Sequence, residues 1–203
     1  MKLYYSPGVC SLAPHIVLRE AGLPFEPVLA STKTHQLADG TDYYTINAKG
    51  YVPLLELDDG QRLTEGPVIN QYLADLVPAK KLAPPAGTMA RYRLQEWLNF
   101  ITSEVHKAYG ALFNPIPEEG KAVFRQKLRG RYEWIEAQLG DKPYLMGEDF
   151  TVADAYLFTC TRWAPFCGVD VSGLPRVAAY MERVAARPAV QEAMRAEGLL
   201  KAA

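Results

Sequence analysis

Between Val77 and Thr88 the chain runs VPAKKLAPPAGT, and the three prolines and one glycine in that stretch rule out a continuous helix or strand across it. The two sides have different periodicity. On the N-terminal side, Lys2–Tyr5 reads as a strand that ends at the turn Ser6-Pro7-Gly8. Residues Ser11–Ala21 read as a helix, with Leu12, Ile16, Val17 and Ala21 on one face and Gly22 and Pro24 as its stop. Phe25–Leu29 is the next strand. Leu54–Leu57 and Arg62–Thr64 flank the hairpin signal Asp58-Asp59-Gly60. Gly66-Pro67 then opens a helix to about Leu76, with proline at a favoured first-turn position. On the C-terminal side nearly everything has helical spacing. Met89–Leu112 sets Leu94, Trp97, Leu98, Ile101, Val105, Ala108 and Leu112 on one stripe, and Glu118–Leu139, Thr151–Trp163, Leu174–Ala186 and Pro188–Leu199 follow. With 203 residues there is room for two small domains. The expected architecture is an α/β domain of order βαβ-ββα over residues 1–78, a linker over 79–87, and an all-α domain over 88–203.

Charge and composition exclude several classes of function. The 22 basic and 23 acidic side chains nearly cancel, so no basic excess suits a protein that wraps nucleic acid. No apolar run approaches the roughly 20 residues that cross a bilayer, so no membrane partner is expected. The N-terminus MKLYYSPGVC has no apolar export core, which points to a cytoplasmic setting and reduced thiols. Two of the three cysteines, Cys160 and Cys167, lie in the apolar run Tyr156–Cys167 and read as core residues. The cysteines have no zinc-type pairing, and neither an HExxH motif nor a Walker loop is present, so no metal site or tightly bound cofactor is expected.

Cys10 is different. It lies after a strand and its turn, directly before a helix whose first N–H groups carry partial positive charge, a position that favours a thiolate. Ser11 stands beside it, able to cap the helix or to donate to a sulfur anion. On Met89–Leu112, Asn99, Ser103, His106 and Lys107 fall opposite the apolar stripe. Thr151-x-x-Asp154 is a capping-box pattern, which makes Asp154 structural rather than catalytic. His15, Trp97, Trp134 and Trp163 fit packing roles.

The run Tyr5-Ser6-Pro7-Gly8-Val9-Cys10-Ser11 with Arg19-Glu20-Ala21-Gly22-Leu23-Pro24-Phe25-Glu26 resembles the first βαβ of the glutathione S-transferases. Gly50-Tyr51-Val52-Pro53-Leu54-Leu55, Asp59-Gly60, Leu63-Thr64-Glu65 and Ile69-Asn70-Gln71-Tyr72-Leu73 are similar to that family's second half-domain. Gly147-Glu148-Asp149-Phe150-Thr151-Val152-Ala153-Asp154 and Arg187-Pro188-Ala189-Val190 extend the likeness through the helices. Cys10 together with His106-Lys107 resembles the bacterial beta class.

That resemblance implies a thioredoxin-like N-terminal domain that binds glutathione as cosubstrate, a helical domain carrying most of the electrophile site, and a homodimer. It implies that Cys10, His106 and Ser11 act at the glutathione sulfur. A cis Val52-Pro53 bond would leave the Val52 main chain to pair with the cysteinyl part of the ligand. Glu65 would take the γ-glutamyl ammonium and the Gly66 amide its carboxylate, while Tyr5 would border the thiol. Asn99 and Ser103 would lie near the dimer seam, Lys107 beside His106 in the cleft, and Glu104 would reach the partner's glutathione. A small hydrophobic electrophile would pack between the domains on Tyr109, Phe113, Trp163 and Phe166. Two positions depart from the family. Gly66 replaces a Ser or Thr, losing a hydroxyl bond of ~0.5–1.5 kcal/mol. His35 replaces a common Lys, weakening attraction for the glycyl carboxylate. Two alternatives stay open: a glutathione-dependent thiol-disulfide or reductive dehalogenation enzyme, and a non-catalytic binding or regulatory protein on the same fold.

Overall fold

The computed structural model describes residues 1–200, which form two compact units: Met1–Leu82 with the chain from Arg187 onward, and Ala83–Ala186. In the first, β1 (Lys2–Tyr5), α1 (Leu12–Ala21), β2 (Glu26–Leu29), β3 (Leu54–Glu56), β4 (Arg62–Thr64) and α2 (Gly66–Asp75) follow in the βαβ-ββα order. The sheet order is β2-β1-β3-β4, with β1 parallel to β2 and antiparallel to β3, and β3 antiparallel to β4. Leu3 pairs with Leu55 across β1 and β3, and both are wholly buried with Leu12, Ile16, Ile69 and Leu73 from the two helices. Each such side chain contributes about 1.5–3 kcal/mol by leaving water. Pro14 is accommodated because it falls in the first turn of α1, where N–H groups have no partner inside the helix. Gly22 closes α1 in a left-handed conformation, its N–H bonding Arg19 O while Leu23 N–H reaches Leu18 O.

The last helix, α9 (Pro188–Ala196), departs from the expected division at residue 88. It packs on α1 and groups with the N-terminal unit rather than with the other helices. Its buried face is Val190, Ala193 and Met194, and Arg187 at its start holds Glu20 of α1 through bonds of 2.6 and 2.9 Å. The sequence carries its amphipathic pattern but not the identity of the surface it covers.

The second unit contains α3 (Met89–Phe100), α4 (Lys107–Leu112), α5 (Glu118–Leu139), α6 (Val152–Thr161), the short α7 (Ala164–Cys167) and α8 (Pro175–Ala185). Thr88 caps α3, its Oγ1 accepting Arg91 N–H at 3.2 Å. Every residue of α6 is buried, so α6 is the axis of this unit. The expected capping box is formed: Asp154 accepts from Thr151 N–H at 2.8 Å, and also from Leu145 N–H at 2.9 Å. Cys160 and Cys167 are buried.

The expected single helix Met89–Leu112 is instead broken by a π-helical segment, Ile101–His106, between α3 and α4. The apolar stripe runs through it with Ile101 and Val105 still buried, so hydrophobic spacing alone does not reveal the widened turn. Trp97 and Trp134 are not core residues: they stack with Phe100 in a partly exposed cluster, Trp134 being 42% exposed. Among the described residues, no helix is long and apolar enough to cross a membrane, and no group of three His, Cys, Asp or Glu could hold a metal ion.

Candidate functional site

In the N-terminal unit the site grows from the turn between β1 and α1. Gly8 adopts φ +72°, a conformation that calls for glycine, and a Cβ there would press on Leu199 Cδ2 at 3.2 Å. Its N–H donates to Glu197 Oε2 at 2.9 Å, while Glu197 Oε1 accepts from His15 Nδ1 at 2.8 Å. Both side chains are fully buried. Ser11 does not cap α1. Its hydroxyl clasps the turn instead, accepting Ser6 N–H and donating to Ser6 O, both at 3.1 Å. The N-terminus of α1 sits at Leu12 with Ser11 already helical in backbone angles, which turns the hydroxyl away from the amides it would have capped.

Cys10 is thereby held with its thiol donating to Val52 O at 3.2 Å. Burial pushes the thiol pKa up to about 12; the backbone N–H groups of Cys10 and Ser11 pull it down by less, and the Glu65 carboxylate pushes it up further. The expected thiolate-favouring helix start therefore exists and is outweighed by desolvation. Tyr5 lies half-buried with its ring edge on His15 at 5.8 Å, its phenol raised by burial and by Glu197.

Val52-Pro53 is a cis peptide bond. The loop before it is braced from both sides. Asn47, 6% exposed, donates to Tyr51 O at 2.7 Å, and Tyr43 OH donates to the same oxygen at 3.0 Å. His35, at φ +53°, lies against this loop: its Nδ1 donates to Gly50 O at 3.1 Å and its ring stacks on Tyr44 at 4.7 Å. A Cβ at Gly50 would fall 2.6 Å from Tyr44 Cε1, so this packing needs glycine at 50. Glu65, at φ +69°, precedes α2 and is exposed; Gly66 follows it as the first residue of α2. Cys10, Ser11, Tyr5, Val52, Pro53, His35, Glu65 and Gly66 thus all belong to this one unit.

In the helical unit the expected polar face divides. Asn99, Ser103 and Lys107 are exposed, with Ser103 Oγ donating to Asn99 O at 3.0 Å. His106 is turned inward at the end of the π segment, its Nδ1 within 2.6 Å of Tyr156 OH and its ring 5.1 Å from Trp163. A turn that takes an extra residue rotates His106 off the solvent face the 100° spacing assigned to it. Glu104 is held within its own chain, by Arg131 at 2.6 and 2.9 Å and by Lys127 at 3.4 Å, and these cations lower its pKa. Trp163 gathers Tyr109 and Phe113, whose rings lie 5.7 and 5.6 Å away. Tyr109 is completely buried and bonded to Tyr132 OH at 3.0 Å, so it supports the cluster from beneath; Phe113 is 57% exposed. Phe166, 81% exposed, lines a separate recess with Thr161, Val177 and Met181. Sequence reasoning missed Glu197, Tyr156 and Arg131, for which no local motif exists.

Family models described as "Glutathione S-transferase, N-terminal domain" and "Glutathione S-transferase, C-terminal domain" match residues 8–76 and 95–183. The chain is 48% identical over 200 residues to glutathione S-transferase GstA of Escherichia coli O157:H7, covering 98% of this chain and 100% of that protein. A sphingomonad glutathione S-transferase complexed with glutathione superposes with a TM-score of 0.94 at 43% identity, covering 98% of this chain and 100% of that one. A bacterial beta-class enzyme from Sphingomonas chungbukensis gives 0.95 at 44% identity, with the same coverage.

Proposed function

The chain belongs to the glutathione S-transferase family, in the company of its bacterial beta-class members, and on that premise we propose that it transfers glutathione to a small hydrophobic electrophile with Cys10 at the glutathione sulfur. The observation that carries this reading is the Cys10 thiol lying 3.2 Å from Val52 O at the cis Val52-Pro53 bond. An extended peptide running past Val52 would bring its own thiol to Cys10, with main-chain groups at hand to fix its register. Catalysis then requires orientation and a stabilised sulfur anion rather than a new covalent framework. The N-terminal domain over residues 1–78 supplies the glutathione site, with Ser11, Tyr5 and His35 around it. The helical domain supplies His106, Asn99, Ser103 and Lys107 toward glutathione and the rings of Trp163 and Phe113, backed by the buried Tyr109, toward the electrophile. The expected setting is the cytoplasm, as a homodimer, in keeping with the family.

Two changes in the family pattern bear on affinity. His35 uses Nδ1 on Gly50 O, so its neutral form offers an acceptor rather than a donor at Nε2 to a ligand carboxylate. Gly66 offers an amide and no hydroxyl.

Oxidised glutathione tests the assignment. The Cys10 sulfur attacks one sulfur of the disulfide, gives up its proton to solvent, and releases one glutathione thiolate, leaving a Cys10–glutathione mixed disulfide. Intact-mass measurement should show a single adduct that vanishes in Cys10→Ala; an adduct that survives that substitution overturns the role given to Cys10. On a chlorinated substrate, transfer gives one conjugate for each chloride released, whereas reductive dehalogenation gives chloride and oxidised glutathione with no lasting conjugate.

A further inference from the structure

The contact between Tyr156 and His106 in the helical unit has a direction. Every residue of α6 is buried and Tyr156 is 2% exposed, so its phenol has a fixed place. It meets His106 Nδ1 at 2.6 Å, with the two rings edge to face at 84°. Trp163 lies 5.1 Å from the same imidazole and holds its plane. An N–H donor meets oxygen at about 2.7–3.2 Å, whereas a hydroxyl donor comes as close as ~2.5 Å. A separation of 2.6 Å therefore suits a phenol that donates and an imidazole that accepts. The chemistry agrees, since the imidazole nitrogen is the stronger base of the two and the phenol the stronger acid than a neutral imidazole. A neutral imidazole carries one N–H, so accepting at Nδ1 puts the proton on Nε2.

We propose that Tyr156 is a positioning residue for glutathione transfer: by donating to Nδ1 it fixes His106 as the Nε2–H tautomer, which donates to the glutathione sulfur anion. This rests on the reading that His106 acts at that sulfur, and it specifies the nitrogen and the proton with which it acts. The opposite tautomer would turn a lone pair toward the anion. A donor whose orientation is settled before the ligand arrives stabilises negative charge without reorganising at the moment of reaction. The π-helical segment makes the contact possible, because its widened turn brings His106 inward to α6 while Ile101 and Val105 stay buried.

The chain has three histidines, so side-chain nitrogen NMR of the isotope-labelled protein resolves them, with His106 identified by the signals that His106→Ala loses. At neutral pH His106 should show a bare Nδ1 and a protonated Nε2. Tyr156→Phe keeps the ring and removes only the hydroxyl, and both tautomers of His106 should then appear. In that variant the pKa of bound glutathione, followed by thiolate absorbance, should rise by about one unit, a tenfold loss of thiolate on the scale of one hydrogen bond to a charged group. A wild-type His106 with its proton on Nδ1 overturns the proposal, and this result needs no variant of Tyr156 to fold. A bound thiol that titrates alike in wild type and Tyr156→Phe, while His106→Ala shifts it, also overturns the proposal and leaves His106 at the sulfur. A bound thiol unmoved by His106→Ala overturns the placing of His106 itself, and the proposal with it.

Discussion

Replacing Glu197 by alanine cuts a buried polar link in the N-terminal unit that lies outside its apolar core. Glu197 is 5% exposed and accepts two bonds, from Gly8 N–H at 2.9 Å and from His15 Nδ1 at 2.8 Å. Alanine removes both acceptors, so the buried His15 Nδ1 loses its carboxylate and the half-buried Gly8 N–H loses its bond to Glu197. The stranded His15 donor costs about 1–3 kcal/mol and the lost Gly8 bond ~0.5–1.5 kcal/mol, so the variant should lose ~1.5–4.5 kcal/mol, a large share of a typical total of ~5–15 kcal/mol. For a chain of this length that corresponds to a Tm lower by on the order of 10 °C. Glu197→Gln keeps the shape and one acceptor oxygen and should lose only about 1–2 kcal/mol. Urea and thermal unfolding followed by circular dichroism give these values directly. Alkylation of Cys10 in the same samples should quicken in Glu197→Ala, because the turn that seats the thiol is no longer held at Gly8. A Glu197→Ala protein within ~0.5 kcal/mol of wild type, the range of an ordinary surface substitution, would refute the reasoning.

Two further outcomes follow from the same unit. With its pKa pushed up to about 12 by burial, the Cys10 thiol is held neutral, and the reactive anion appears only as pH climbs toward that value. The rate of Cys10 alkylation should therefore still be rising at pH 10, and a plateau reached below pH 8 would contradict the burial argument. Gly66→Ser should tighten glutathione binding by about two- to tenfold, the worth of one hydroxyl hydrogen bond. A Cβ at position 66 meets nothing closer than Pro53 Cγ at 3.9 Å, so the side chain fits, and unchanged affinity by calorimetry would show that the hydroxyl has no ligand partner.

The alternation of β1, α1, β2, β3, β4 and α2 was legible because each element carries its own local marks. Gly22 stops α1, Pro67 sits in the first turn of α2, and Asp58-Asp59-Gly60 turns the hairpin. Thr151 and Asp154 were legible for the same reason, since a capping box is written within four residues. What escaped was non-local. The pairing of His15 with Glu197 joins residues 182 apart, and neither neighbourhood hints at the other. The π segment Ile101–His106 hides beneath an apolar stripe that continues unbroken through it, and so the inward turn of His106 toward Tyr156 was invisible. For Cys10 the local rule at a helix start had the right sign for its own contribution, and the desolvation that outweighs it depends on surroundings assembled from Val52 and beyond. Ser11 shows the same limit: a good capping residue spent its hydroxyl on Ser6.

The Gly8–Glu197 bond also sets an order of events during synthesis. Residue 8 and residue 197 leave the ribosome roughly 10–40 s apart at ordinary elongation rates. Throughout that interval the Cys10 turn lacks its C-terminal anchor, and α1 lacks the helix that covers it. A nascent or C-terminally clipped chain would therefore carry an unlatched thiol, open to stray oxidation and easily recognised by proteases. Cys10 takes its seated form only after the segment that carries Glu197 has been made and has docked on the turn.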